Sequence, residues 1–122
     1  MIIISFSILD HFIRITSMHH LLFIFAFLPI LASAADLEYR LTIRDHRFEP
    51  AELRVPAGKK IKLIIDNQDG SAEEFDSHAL NREKVIPAKS TARVFVGPLS
   101  PGRYPFIGEF HLDTAKGVLI AE

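Results

Sequence analysis

From residue 37 onward, the sequence is a series of short segments in which apolar and polar residues alternate, and Pro or Gly interrupts the series repeatedly. In the segment LEYRLTIR, four apolar residues alternate with charged or polar ones: Leu37, Tyr39, Leu41 and Ile43. A period of two places successive side chains on opposite faces of a β-strand. No segment of this region keeps a helical period. The pattern therefore predicts an all-β domain, a sandwich or barrel of short strands.

The same alternation predicts further strands, separated by turn residues. They are expected near residues 61–65, 74–78, 84–86, 91–97, 103–110 and 117–122. Pro50, Pro56 and Gly58 break the stretch between the first two long strands, and Asn67–Ser71 is a loop. Most of the aromatic side chains are expected in the core of so small a sandwich, namely Phe48, Phe75, Phe95, Tyr104, Phe106 and Phe110.

The first 34 residues differ from the rest and predict an export signal. Leu21–Leu31 is an uncharged apolar run of 11 residues. It is shorter than the ~20 residues of a membrane span but has the length of a signal-peptide apolar region. Ala32-Ser33-Ala34 follows as a small-x-small cleavage sequence, which predicts a periplasmic domain of residues 35–122. Two alternatives stay open: Met18 is the true start, or the leader is an uncleaved membrane anchor.

Composition excludes several function classes. The 14 Lys plus Arg nearly balance the 15 Asp plus Glu, for a net charge of −1, which gives no reason to expect nucleic-acid binding. There is no cysteine, so thiolate metal sites and cysteine nucleophiles are excluded. Gly-x-Ser-x-Gly, phosphate-binding Gly-rich loops and His-Glu-x-x-His are also missing. No hydrolase is therefore predicted.

Several longer stretches resemble cupredoxin-like domains. The resemblance is carried by FEPAELRVPAGKKIKLIIDNQD (48–69), GPLSPGRYPF (97–106) and FHLDTAKGVLIAE (110–122). Two more stretches look like the cupredoxin-like component of bacterial ferrous-iron uptake systems, namely EEFDSHALNREKVIPAKS (73–90) and GEFHLDTAKG (108–117). The resemblance covers essentially all of residues 35–122 and implies a Greek-key β-sandwich of cupredoxin type.

In a blue-copper cupredoxin, two His, one Cys and a weak axial Met hold the metal. The resemblance places Gly108 at the Cys position and His111 at the second His position. The first His position falls near Glu74 and the axial Met position near Lys116. Only one of the four ligands is present, so no type-1 copper site is expected.

The residues around that place are carboxylates and imidazoles, which suit iron, zinc, manganese or copper(II) rather than copper(I). The candidate metal ligands are His111, Glu109, Glu74, His78, His46 and Asp76. For each of them the alternative is an exposed polar side chain without a metal. Iron or copper(II) is therefore the expected cofactor, if any.

Some candidates have specific alternatives. Glu109 and His111 lie two residues apart and share a face if the strand continues that far. Asp76 could instead cap the turn at the next residue, and His46 could hydrogen-bond to the segment 73–75. Glu73, beside the candidate Glu74, is expected to be charged surface.

The resemblance implies a periplasmic accessory protein of iron uptake that binds Fe(II) and assists its oxidation before transport. Its implied partners are a periplasmic iron- or copper-binding protein and an inner-membrane iron permease. Two alternatives remain. One is a metal-free cupredoxin scaffold that docks to a partner. The other is a copper-binding electron-transfer protein, against which the missing cysteine counts.

Overall fold

The computed structural model of the protein describes residues 26–30 and 36–122, and in these ranges all regular structure is β-strand. The strands are β1 Leu37–Arg44, β2 Arg47–Glu49, β3 Glu52–Val55, β4 Ile61–Asn67, β5 Glu73–Ser77, β6 Arg82–Ile86, β7 Thr91–Val96, β8 Gly102–Gly108 and β9 Lys116–Ala121. They form one sheet in the order β2-β1-β4-β7 and a second in the order β3-β9-β8-β5-β6. The predicted all-β sandwich is confirmed.

The core lies between the two sheets because alternate residues of each strand point inward. In β4, Ile61, Leu63 and Ile65 are fully buried, while the residues between them are only half-buried. The same alternation buries Glu73, Phe75 and Ser77 in β5. The period of two seen in the sequence is therefore the division between the core face and the outer face.

Three of the aromatic residues expected in the core form a cluster there. Phe48, Phe75 and Phe106 are buried, and their ring centroids lie 4.9 to 6.1 Å apart. The prediction is wrong for Phe95 and Phe110, which are 40% and 49% exposed. Phe95 lies on the outer face of β7 beneath two lysine ammonium groups, and Phe110 lies in the loop after β8.

Two parallel pairings join parts of the chain that are distant in sequence. β1 pairs in parallel with β4, and β3 pairs in parallel with β9. Parallel neighbours cannot be joined by a tight hairpin, so the chain crosses between the sheets. These crossings bring the β1–β2 turn, the loop after β4 and the loop after β8 together at one end of the sandwich, as the hydrogen bonds described below show.

The chain divides into two units, residues 1–32 and residues 33–122, and the sandwich is the second. Within the described ranges, no helix is long and apolar enough to span a membrane. The predicted signal peptide, its cleavage after residue 34 and the alternative start concern a segment of which only residues 26–30 are described. The rest of that segment lies outside the described residues, so these three points stay predictions.

Candidate metal centre

His46 lies in the two-residue turn between β1 and β2. Asp45 and His46 both have positive φ, 53° and 56°, as a type I′ hairpin turn requires. The Asp69 carboxylate accepts the backbone N–H of Asp45 at 2.8 Å and of His46 at 2.9 Å. Thr114 Oγ1 donates to the His46 carbonyl at 2.6 Å. The backbone of the turn is thus held against two other loops, which places the His46 side chain at this end of the sandwich.

Glu73, expected as charged surface, is instead 1% exposed. It begins β5 on the same face as the core residue Phe75. Its Oε1 accepts the backbone N–H of Glu74 at 3.0 Å and of Phe110 at 2.9 Å. Its Oε2 lies 2.5 Å from Nδ1 of His111. A carboxylate with all of these partners can be buried without the penalty of an unpaired polar group.

The imidazoles of His46 and His111 are stacked, with ring centroids 3.6 Å apart and planes inclined by 12°. Each ring has a carboxylate at Nδ1: Glu73 at 2.5 Å from His111, and Asp69 at 3.4 Å from His46. A carboxylate at one ring nitrogen sets the orientation of the ring and leaves the lone pair on the other nitrogen. The His46 side chain is 44% exposed and that of His111 27%, so both rings are within reach of a dissolved ion.

Gly108, at the position of the copper-binding cysteine in the resemblance, ends β8 against Glu73. A Cβ atom at Gly108 would lie 2.7 Å from Glu73 Cδ and 2.5 Å from Ala115 Cβ. Lys116, at the axial Met position, is exposed and belongs to β9. The chain therefore has neither the thiolate nor the space for it, and the residues present do not fit a type-1 copper ion.

Glu74 and Asp76 lie on the outer face of β5, away from the face of Glu73, because neighbouring residues of a strand point to opposite sides. Across the ladder, Asp76 pairs with Glu83 of β6. Partial burial raises the pKa of Glu74, and the negative charges of Glu83, Glu109 and Asp76 add to this effect. These acids form a separate, like-charged surface group and do not surround the histidine pair.

The expectation that Glu109 and His111 share a strand face is wrong. β8 ends at Gly108, and the chain turns before β9 begins at Lys116. The Glu109 side chain is exposed, while its backbone N–H donates to the Glu74 carbonyl at 2.9 Å. The strand ends early because the loop folds back on itself through hydrogen bonds from residues 114 and 115 to the His111 carbonyl.

His78 follows β5 and is exposed. It borders a surface depression together with Asp76, Asn81 and Arg82. Of the six predicted ligands, the structure therefore brings His46 and His111 together, places Glu74, Asp76 and Glu109 near one another, and leaves His78 beside Asp76. Whether any of them binds a metal stays a prediction.

Among the described residues, no three His, Asp or Glu side chains are arranged to hold one metal ion. The stack is part of the reason. The nitrogen lone pairs lie in the ring planes. In two rings inclined by only 12°, with centroids 3.6 Å apart, these lone pairs do not converge on one ion at ~2.0–2.2 Å from both rings. Binding through both imidazoles requires one ring to turn.

Two carboxylates of this site, Glu73 and Asp69, are not among the predicted ligands. For Glu73 the sequence does hold a signal: it stands two residues before Phe75, a predicted core residue, and so shares its face. Asp69 has no comparable signal, because its contact with His46 depends on how β1 pairs with β4.

Comparisons with known proteins agree on a cupredoxin-like domain. The profile of the cupredoxin-like domain matches residues 17–121. An uncharacterized protein of Rickettsia prowazekii (strain Madrid E) is 46% identical over 84 residues, which are 69% of this chain and 67% of that protein.

Among solved structures, auracyanin A, a blue copper protein from Chloroflexus aurantiacus, matches with a TM-score of 0.63 and 14% identity, covering 72% of this chain and 100% of the other. The metal binding domain of the Cu(I) exporting P-type ATPase CopA of Streptococcus pneumoniae D39 has a TM-score of 0.59 and 16% identity, covering 70% and 84%. At these identities the structures show the fold alone, and they confirm the predicted cupredoxin type.

Proposed function

Because the chain belongs to the cupredoxin-like domain family, we propose that it is a periplasmic accessory protein of ferrous-iron uptake that binds Fe(II) through His46 and His111. The observation that carries the proposal is the stacked pair of imidazoles, each with a carboxylate at Nδ1. Imidazole and carboxylate suit iron(II) and copper(II), and no thiolate is present to favour copper(I). The proposed partners are a periplasmic iron- or copper-binding protein and an inner-membrane iron permease.

The geometry supports reversible binding. Fe(II) reaches the rings from solvent, because both side chains are partly exposed. His46 is the ring that turns to complete the site, since it is more exposed and its carboxylate contact is longer, 3.4 Å against 2.5 Å. Breaking the stack lowers the affinity, as suits a protein that passes its ion to a transporter.

The carboxylates bear on the proposed oxidation step. Asp69 and Glu73 lie beside the two rings, and negative charge stabilises Fe(III) relative to Fe(II). They therefore lower the potential of a bound iron ion. The electron lost from Fe(II) must go to an acceptor outside this chain, either copper on a partner or oxygen.

Anaerobic calorimetric titration of the purified protein with Fe(II), repeated with Cu(II), tests the proposal. We expect one saturable site, and a loss of about tenfold or more in affinity for His46→Ala and for His111→Ala. His78→Ala is the matched control and keeps the wild-type affinity. Absence of saturable binding, or a loss confined to His78→Ala, would contradict the proposal.

A second candidate function, a metal-free scaffold that docks to a partner, is favoured by a different observation. The Glu73 carboxylate already fills the space beside Gly108, the position of the missing cysteine. Within the described residues, no buried polar side-chain atom lacks a partner. Elemental analysis of the protein isolated from periplasm separates the two functions. Stoichiometric iron or copper supports the first, and protein without either metal supports the second.

A further inference from the structure

We propose that the Glu73 carboxylate takes the place of the metal ion that blue-copper cupredoxins hold in this fold. It fills the space beside Gly108, where the cysteine would lie, and it holds the His111 ring. No room is left there for a thiolate-bound copper. The inference goes beyond the proposed function and does not rest on it. It concerns the buried side of His111, whereas the proposed Fe(II) site uses the exposed side.

The hydrogen bonds of Glu73 connect the same parts of the fold that a metal would connect. By resemblance, a cupredoxin metal joins a residue at the start of β5 to residues of the loop after β8. Here Glu73 begins β5, and its carboxylate accepts the N–H of Phe110 and contacts His111 Nδ1. Phe110 and His111 belong to the loop after β8. The side chain therefore joins the two segments without an ion.

The space around Gly108 gives an independent argument. A Cβ there would lie 2.7 Å from Glu73 Cδ, 2.9 Å from Glu73 Oε1 and 2.5 Å from Ala115 Cβ. Gly108 does not have a positive φ, unlike Gly58 and Gly97, so the lack of space, and not the backbone conformation, requires glycine. A cysteine at this position needs both Glu73 and Ala115 to give way.

Glu73 is a positioning residue and not itself a metal ligand. Its side chain is 1% exposed, so no ion reaches it from solvent. Its oxygens already have three partners, two backbone N–H groups and one ring nitrogen. An ion at this place would have to displace those partners or the carboxylate itself.

The first experiment compares thermal unfolding of Glu73→Gln and Glu73→Ala with wild type, in the presence of a chelator. The control is Glu74→Gln, because Glu74 is the next residue of the same strand and points to the other face. We expect a fall in Tm of about 10 °C for the Glu73 variants and little change for Glu74→Gln. In wild type, a downfield proton on His111 Nδ1 is expected by NMR, and it is lost in Glu73→Ala. A Tm that moves equally in all three variants, or an unaffected His111 proton, overturns the inference.

The second experiment reopens the cavity. We expect the triple variant E73H/G108C/A115G to bind Cu(II) with the strong visible absorption of a copper–thiolate bond, and Gly108→Cys alone to show none. If the triple variant does not fold, a double-mutant cycle decides: Gly108→Ala must lower Tm less in the Glu73→Ala background than in wild type. A single Gly108→Cys variant with strong absorption, or equal effects in the two backgrounds, contradicts the inference.

Discussion

At the scale of single residues, Asp69 links the stability of the fold to the candidate metal centre. Its carboxylate holds the β1–β2 turn and contacts the His46 ring. Partial burial raises the pKa of Asp69, but the backbone N–H groups of His46 and Asp45 and the charges of His46 and Lys89 outweigh that effect. The pKa therefore lies below its usual range.

This lowered pKa gives a pH dependence of known sign. A carboxylate whose pKa is lower in the folded state stabilises the fold above its unfolded pKa of ~3.9, and the effect is lost as pH falls through the folded pKa. We expect Asp69→Asn to lower the free energy of unfolding by about 1–3 kcal/mol at pH 7, and by progressively less below pH ~4. Urea unfolding measures it. Asp66→Asn is the control, because the ion pair of half-buried Asp66 with the exposed Arg40 is long, 3.7 Å. A pH-independent loss would contradict the assignment.

His46 offers a way to separate binding from stability. Its positive φ is unfavourable for most residues but tolerated by Asn. We expect His46→Asn to keep the turn and to change the free energy of unfolding by less than about 1 kcal/mol. Fe(II) affinity falls by about tenfold or more because one imidazole is gone. Unfolding and titration of the same preparation test both halves, and undiminished affinity would remove His46 from the site.

The buried acid Glu73 shows what the sequence leaves open at this scale. The resemblance points to His111 and Glu74 as candidate ligands, and both roles stay predictions, whereas the expectation that Glu73 is charged surface is wrong. In a strand, neighbouring residues lie on opposite faces. Because Phe75 is buried, Glu73, two residues before it, lies on the buried face and Glu74 on the other. The contact of Asp69 with the His46 backbone joins residues 23 apart in sequence, so no local pattern could predict it.

At the scale of elements, the loop between β4 and β5 is organised by one buried amide. Asn67 is 0% exposed. The two N–H groups of its side-chain amide are shared among the carbonyls of Ser71, Ile86 and Pro87, which lie 2.9 to 3.2 Å from the nitrogen. Its oxygen accepts the Asp69 N–H at 3.0 Å. The amide thus fixes the loop that carries Asp69 to the β1–β2 turn.

Changing that amide to an acid removes the donors while keeping the shape. Asn67→Asp sets a carboxylate against three carbonyl oxygens, so we expect a loss of about 3 kcal/mol or more in the free energy of unfolding. Gln68→Ala is the control, because the next side chain is exposed and hydrogen-bonds at the surface with Arg44. Denaturant unfolding measures both. Equal stability of the two variants would show that the loop does not depend on Asn67.

Element length decides which strands the sequence could predict. β1, β4 and β7 alternate over 6 to 8 residues and were predicted near their observed bounds. β2 and β3 have only 3 and 4 residues, and each is followed directly by a proline, Pro50 or Pro56, so their alternation is too short to recognise. The strand expected to reach residue 110 ends at Gly108, because the loop folds back through its own hydrogen bonds.

At the scale of the whole molecule, the order of elements and the family resemblance together predict the sandwich, which the family match confirms. The site is harder to predict, since it is assembled from three loops that the crossings between sheets bring together. Metal binding should nevertheless appear as a property of the whole fold, because an ion that binds only the folded state stabilises all of it.

The size of that effect can be predicted. With free Fe(II) at a hundredfold excess over Kd, the stabilisation is about 2.7 kcal/mol. For a domain of this size that raises Tm by about 10–20 °C. At the same Fe(II) concentration the shift should fall to about half or less in His111→Ala and persist in full in His78→Ala, because only the former removes one of the stacked rings. Differential scanning calorimetry under anaerobic conditions measures the shift.

An equal shift in both variants would place the ion on the acidic outer face of β5, where Glu74 and Asp76 lie. No shift in wild type at any Fe(II) concentration would instead favour the metal-free docking scaffold, in which the Glu73–His111 pair takes the place of the ion.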